Sequence, residues 1–120
     1  MKFCGDFRHD LEVGQVAEKL LADIFENKTI EVKNDLKALK TGNLFIEYHS
    51  RGKPSGISTT QAEYWCFLVK DVFILIRTDD LKDILRPLFN TKADIKGGDN
   101  NTSSGILLKI EQLIKGQTND

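Results

Sequence analysis

Four side chains with the chemistry of a metal- and phosphate-binding site occur on two neighbouring segments of alternating polarity. They are Lys33 and Asp35 on segment 29–35, and Glu47 and His49 on segment 43–49. Alternating polarity predicts strands, on which side chains two positions apart share a face. If the strands form an antiparallel hairpin with Asp35 opposite Glu47, then Lys33 lies opposite His49. Such a patch suits a hard divalent cation and phosphate chemistry.

The size and composition of the chain are those of an ordinary globular protein. Its 120 residues, 40% hydrophobic and 29% charged, predict a single domain spanning 1–120. No apolar run reaches the ~20 residues of a membrane span, and the first residues lack a signal-peptide pattern. Cys4 and Cys66 have no CxxC spacing, which indicates a reduced setting. We therefore expect a cytoplasmic (intracellular) protein without membrane contact.

Positive charge is concentrated around the two predicted strands, although the formal net charge is −1. The segment from Lys28 to Lys53 contains six basic and three acidic residues. This local excess can guide a polyanion to one surface, whereas the overall charge argues against a protein that coats nucleic acid by bulk charge alone.

The patterns around these strands predict the remaining elements. They are a helix from the N-cap Asp10 to about Asn27, a helix opened by the capping box Ser58–Gln61, a buried central strand Val72–Ile76, a helix from Thr78 to about Leu85, a loop Lys96–Gly105 and a last strand Ile106–Ile110. This order predicts an α/β fold (an α+β sandwich) with a central mixed β-sheet flanked by helices.

The order of the acids along these elements resembles the PD-(D/E)XK nuclease superfamily. The resemblance covers 14–76 and rests on Glu18 in the first helix, Asp35 ending one strand, Glu47 in the next strand, and a helix that begins with Gln61. The stretches TGNLFIEY (41–48) and RGKPSGIS (51–58) resemble small phage-type members of the superfamily, which includes Holliday-junction resolvases. The resemblance implies a restriction-endonuclease-like core.

Carried over residue by residue, the resemblance makes Asp35 and Glu47 the two metal-binding carboxylates and Glu18 an additional metal ligand. The family usually has a lysine two residues after the strand glutamate, where this chain has His49. Lys33 is the best substitute for that lysine, because the proposed hairpin brings it beside His49.

Two alternatives for the missing lysine stay open. Lys53, on the loop after the second strand, is a second candidate for the role. A competing assignment makes Glu31-Val-Lys33 the E-x-K motif itself. That assignment lacks a suitably placed upstream aspartate, since Asp23 falls inside the first predicted helix.

Phosphodiester hydrolysis is the reaction that these residues would support. Asp35 and Glu47 would bind Mg²⁺ (or Mn²⁺), which polarises a phosphoryl oxygen and lowers the pKa of a bound water. Lys33 would stabilise the negative charge that develops on the phosphate. His49 would act as a helper or as the general base.

DNA is the substrate that the resemblance implies. The residues expected to contact it are Arg51, Lys53 and Ser55 on the glycine-containing loop, followed by Gln61 and Tyr64. The sequence thus predicts a metal-dependent deoxyribonuclease of recombination, repair or phage DNA processing, in which a homodimer would pair two active sites. The alternatives are a catalytically inactive nuclease-fold module that binds nucleic acid or protein, and a ribonuclease.

Overall fold

A computed structural model describes residues 7–115, with side chains from residue 12 onward, and these residues form an α+β fold. The helices are α1 (Phe7–Asn27), α2 (Ala38–Thr41), α3 (Thr78–Leu85) and α4 (Ile110–Lys115), and the strands are β1 (Ile30–Asn34), β2 (Asn43–Ser50), β3 (Lys53–Pro54), β4 (Tyr64–Val69), β5 (Val72–Arg77), β6 (Asp94–Gly97) and β7 (Ser103–Lys109). No helix within this part of the chain is long and apolar enough to span a membrane.

The strands form two sheets. The first sheet has the order β1-β4-β5, with β1 parallel to β4 and β4 antiparallel to β5. The second sheet is antiparallel and has the order β3-β2-β7-β6. The prediction of a mixed sheet flanked by helices is confirmed, but this sheet is one of two rather than a single central sheet.

β1 and β2 lie in different sheets, so the predicted hairpin between them is wrong. Asp35 therefore has no strand register with Glu47. Lys33 is in register with Phe67 of β4 rather than with His49. The connection between the strands contains α2, which ends at a glycine in the left-handed conformation (φ 75°) and redirects the chain. β1 then pairs with the more apolar strand β4, and β2 pairs with β7.

One apolar core joins both sheets to α3. Its large side chains with 2% exposure or less include Leu44 and Ile46 of β2, Trp65 and Phe67 of β4, Leu81 and Leu85 of α3, and Ile106 and Leu108 of β7. On β2 the alternate residues Leu44 and Ile46 point into this core. Phe45 and Glu47 occupy the alternating positions of the same strand, so their side chains project from the other face of the second sheet.

The segment predicted as a helix from the capping box Ser58–Gln61 forms a 3₁₀ turn at Gly56–Ser58 and then β4. Trp65, Cys66 and Phe67 are buried in succession. Consecutive burial is typical of the central strand of a sheet, and aromatic side chains favour strands. These preferences outweigh the local helix-capping signal.

Three further features of the elements differ from the prediction. α1 begins at Phe7, before the predicted N-cap Asp10. β5 lies at the edge of the first sheet rather than at its centre, and its Phe73 is 67% exposed. The predicted loop 96–105 contains the end of β6 and the start of β7, joined by a 3₁₀ turn at Asp99–Asn101.

Candidate functional site

The turn after β1 and the outward face of β2 border a groove of about 680 Å³. Its charged side chains are Lys33, Asp35, Lys37, Glu47 and Lys96, and Phe45, Trp65, Gly97 and Gly98 are among its other lining residues. The groove therefore contains both carboxylates that were predicted to bind metal, although they reach it from different sheets.

Asp35 is held in place by two backbone amides. Its Oδ1 accepts a hydrogen bond from the N–H of Lys37 at 3.1 Å, which is the usual bonding of an aspartate in a turn. Its Oδ2 accepts a bond from the N–H of Phe45, also at 3.1 Å. Because the second bond crosses from the turn after β1 to β2, the half-buried carboxylate is fixed relative to both sheets.

Glu47 is held by the segment that follows β2. Its Oε2 accepts a hydrogen bond from the hydroxyl of Ser55 at 2.8 Å. The next residue, Gly56, has a φ of 52°, and a Cβ built there would overlap the carbonyl oxygen of Glu47. Only glycine permits this close approach, so the sequence Ser-Gly after β3 positions the Glu47 carboxylate.

Two glycines shape the groove floor around Phe45. A Cβ on Gly105 of β7 would lie 2.6 Å from Cζ of Phe45, and a Cβ on Gly97 of β6 would lie 3.0 Å from the same ring. The Phe45 ring thus lies directly on the backbone of both strands. This packing was not predicted from the sequence, although a glycine in a strand often marks such a close approach.

Three lysines line the groove with the two carboxylates. The Nζ of Lys33 lies 5.4 Å from the centroid of the buried Trp65 ring, within the range of a cation–π interaction. Lys33, Lys37 and Lys96 form no salt bridge within the described residues. Three lysines against two carboxylates give the groove a net positive side-chain charge. Lys37 and Lys96 were not predicted as site residues.

A β-bulge separates His49 from the groove. Along β2 the register passes from Glu47 opposite Gly105 to His49 opposite Ser104, so the intervening residue is extra. A bulge interrupts the alternation of faces. The expectation that His49 shares a face with Glu47 is therefore wrong, and His49 does not line the groove.

The extra residue of the bulge is Tyr48, which points to β6. Its hydroxyl donates a hydrogen bond to Oδ1 of Asp94 at 2.6 Å, and its ring packs edge-on against Phe89 at 4.9 Å between centroids. The hydrogen bond to Asp94, together with burial and the negative charge of Asp94, raises the pKa of Tyr48 above its ordinary value, despite an opposing bond with Ser104.

The remaining predicted site residues lie outside the groove. Glu18 is exposed on α1. Arg51 and Lys53 are exposed beside the turn that links β2 and β3. Gln61 and Tyr64 line a separate cavity of about 590 Å³, together with residues of α1 and α3. Ser55 contacts the groove only through its hydrogen bond to Glu47.

The donor atoms of the groove suit a hard cation. Each Asp35 oxygen accepts one amide bond, which leaves acceptor capacity on both, and Oε1 of Glu47 has no hydrogen-bond partner within the described residues. Residues 12–115 contain no group of three or more Asp, Glu, His or Cys side chains that could hold a metal ion. Glu18 therefore does not join the other two acids, and Mg²⁺ would take its other ligands from water and substrate.

No protein-family model, no curated protein and no solved structure matches the chain.

Proposed function

We propose that the chain is a metal-dependent nuclease that hydrolyses DNA phosphodiester bonds in the groove. The observation that carries the proposal is that Asp35 and Glu47 line one groove with three lysines that form no salt bridge to any residue in the described part of the chain. The proposal retains the two acids and the lysine of PD-(D/E)XK chemistry. It does not require the two acids to lie on paired strands.

The two acids have the role of binding the cation. Asp35 and Glu47 would hold Mg²⁺ or Mn²⁺ through carboxylate oxygens, each fixed by a hydrogen bond from a neighbouring segment. When bound, the ion polarises a phosphoryl oxygen and lowers the pKa of a coordinated water. Fixed ligands avoid reorganisation during the reaction, which is the main source of electrostatic catalysis.

The lysines have the role of binding the phosphate. Lys33 lines the groove and is the proposed equivalent of the family lysine, since His49 lies outside it. Its ammonium would stabilise the charge that develops on the scissile phosphate. Lys37 and Lys96 would hold the neighbouring phosphates of the same strand, and this contact would be sensitive to salt.

A non-catalytic module that binds nucleic acid through the same groove is the second candidate. Two observations favour it: the absence of a three-residue metal-ligand group among residues 12–115, and the placement of His49 outside the groove. Both candidates predict DNA binding that depends on the groove lysines. Only the nuclease predicts cleavage.

Cleavage assays on isosteric variants separate the two candidates. We expect the wild-type protein with Mg²⁺ or Mn²⁺ to cut supercoiled plasmid, linear duplex or four-way junction DNA, with RNA tested alongside. Asp35→Asn and Glu47→Gln should each reduce the rate at least ~100-fold, because each removes a charged ligand without changing its size. The matched control is Asp83→Asn on α3, an exposed acid paired with Arg86 outside the groove.

Binding measurements on the same proteins complete the test. Asp35→Asn and Glu47→Gln should still bind DNA, because neither removes a groove lysine. Wild-type protein that binds DNA but cleaves none of the substrates would support the non-catalytic module. Cleavage that persists equally in both variants and in the control would refute the assignment of these two acids.

A further inference from the structure

α1 carries an apolar stripe that the described chain leaves largely uncovered. Its large apolar side chains recur at helical spacing, which is typical of a helix packed on a protein surface. Those that are 46–67% exposed are Val13, Val16, Leu20, Leu21 and Phe25. Among the described apolar residues of α1, Ile24 alone is buried, at 5% exposure.

The outer face of the first sheet is apolar as well. The strand registers place Val32, Cys66 and Leu75 side by side on this face, with Leu68 and Phe73 in the next row. Val32 is 59% and Phe73 is 67% exposed. The opposite face of the same sheet carries Trp65 and Phe67 and packs into the core.

α1 covers only one corner of this outer face. A cavity of about 430 Å³ remains between the helix and the sheet, lined by Leu20, Leu21, Tyr64 and Leu75 among others. The half of the face that contains Val32 and Phe73 stays open. The chain therefore presents an apolar helix face and an apolar sheet face that do not cover each other.

The exposed apolar area is large enough for a stable interface. The five helix residues and the two sheet residues are 46–67% exposed, and together they present apolar surface of the order of the ~800 Å² that each partner buries in a standard interface.

We propose that two copies of the chain form a symmetric dimer in which α1 of each copy packs on the outer face of the first sheet of the other. Packing a helix on a sheet is a common way to bury an apolar face of each. In a two-fold symmetric dimer this helix-on-sheet contact is made twice. Since Lys33 lies on the opposite face of the sheet from Val32, the dimer would leave the groove open.

The charges that flank the apolar stripe of α1 favour packing on the sheet of a second copy over packing on another α1, on DNA or on a membrane. Glu12, Glu18 and Asp23 border the apolar residues of α1, and Lys19 is its one basic residue from residue 12 to its end. Two α1 helices packed on each other would bring like charges together. An acidic flank is also unsuited to DNA or to an anionic membrane surface, because amphipathic membrane helices carry basic polar faces.

The oligomeric state of surface variants tests the proposal without reference to catalysis. We expect wild-type protein to sediment as a dimer at micromolar concentration. Leu20→Asp on the helix and Phe73→Asp on the sheet should each weaken the dimer at least tenfold. Gln15→Asp is the matched control, because Gln15 is exposed on the opposite side of α1 and should leave the dimer unchanged.

Mixing the two variants identifies the geometry of the interface. A heterodimer of Leu20→Asp with Phe73→Asp would retain one helix-on-sheet contact in which both faces are wild type. The mixture should therefore associate more tightly than either variant alone. If either Asp variant fails to fold, Val16→Ser and Val32→Ser test the same two faces.

Three results would overturn the proposal. They are a monomeric wild-type protein, a dimer that resists the changes on both faces, and a dimer that Leu20→Asp disrupts while Phe73→Asp does not. The last would indicate helix-on-helix packing. Because catalysis is not measured, failure of this proposal leaves the nuclease proposal unaffected, and the reverse also holds.

Discussion

The backbone N–H of Phe45 donates a hydrogen bond to Oδ2 of Asp35 at 3.1 Å, and this bond links the turn after β1 to a strand of the other sheet. It replaces the strand pairing that the sequence predicts between the same two segments. Through it, Asp35 lines the groove that Glu47 also lines, without direct hydrogen bonding between β1 and β2. The carboxylate of Asp35 therefore has a structural role in addition to its proposed chemical one.

Replacing Asp35 should lower stability, because its carboxylate accepts hydrogen bonds from two backbone amides. Asp35→Ala leaves the amides of Lys37 and Phe45 without their side-chain acceptor, so we expect a loss of about 1–2 kcal/mol in the free energy of unfolding. Asp35→Asn keeps one acceptor oxygen but turns the NH₂ group of the amide, a donor, toward the other backbone N–H, so it should lose a similar amount. Urea denaturation measures both values, and wild-type stability in Asp35→Ala would contradict the structural role of the carboxylate.

Gly105 should not tolerate even a methyl group. Gly105→Ala places a Cβ within 2.6 Å of the Phe45 ring, and relief requires the ring or the strand to move. Overpacking of this kind costs typically 1–3 kcal/mol. Phe45→Ala in the same chain should remove the part of the conflict that involves the ring, although the new Cβ would still lie 2.8 Å from the carbonyl oxygen of Ile46. The double-mutant cycle should therefore show a favourable coupling energy between the two changes, without full recovery of stability. Additive losses in denaturant unfolding would show that the ring and the glycine do not interact.

Ser55 should act on catalysis by positioning Glu47. Ser55→Ala removes the 2.8 Å hydrogen bond to Oε2 and leaves the carboxylate free to rotate. Under the nuclease proposal we expect about a tenfold loss of cleavage rate at saturating DNA, and partial recovery at higher Mg²⁺ concentration. Ser58→Ala, on the exposed 3₁₀ turn nearby, is the control and should retain the wild-type rate. An unchanged metal dependence in Ser55→Ala would contradict the positioning role.

The local periodicity of apolar residues correctly predicted the elements in which it matches the burial of side chains in the folded protein. The end of α1 at Asn27, the span of α3 from Thr78 to Leu85 and the cores of β1 and β2 are confirmed. β4 was mistaken for a helix because a good capping signal precedes it, whereas its burial at the centre of the first sheet depends on tertiary packing that local propensity does not contain. α4 was not predicted, and it is only six residues long.

The candidate site was predicted in part, for a similar reason. Asp35, Glu47 and Lys33 line one groove, although the predicted hairpin that was to bring them together does not form. Lys96 reaches the same groove through the pairing of β6 with β7, a contact between distant parts of the sequence that the periodicity of one segment cannot reveal. His49 was misplaced because one extra residue in the β2 bulge shifts the alternation of faces.

The Tyr48–Asp94 hydrogen bond should make stability depend on pH in the alkaline range. The folded state raises the pKa of Tyr48, mainly through the bond to Asp94, so it favours the protonated phenol more than the unfolded chain does. The stabilisation is therefore fully present below the ordinary tyrosine pKa of about 10, and it is lost as the pH rises through the higher pKa of the folded state.

Tyr48→Phe isolates this contribution, because it keeps the ring that packs on Phe89 and removes the hydroxyl. We expect a loss of about 1–2 kcal/mol at neutral pH, since the acceptor is a charged carboxylate that, among the described residues, keeps only the N–H of Asn90 as a partner. The stability difference between wild type and Tyr48→Phe should shrink as the pH passes above about 10, because an ionised phenol no longer donates to Asp94. Urea denaturation of both proteins between neutral and alkaline pH measures this difference, in which the titration of all other groups cancels. A constant difference across that range would show that ionisation of the Tyr48 hydroxyl does not remove a stabilising hydrogen bond to Asp94 in the folded protein.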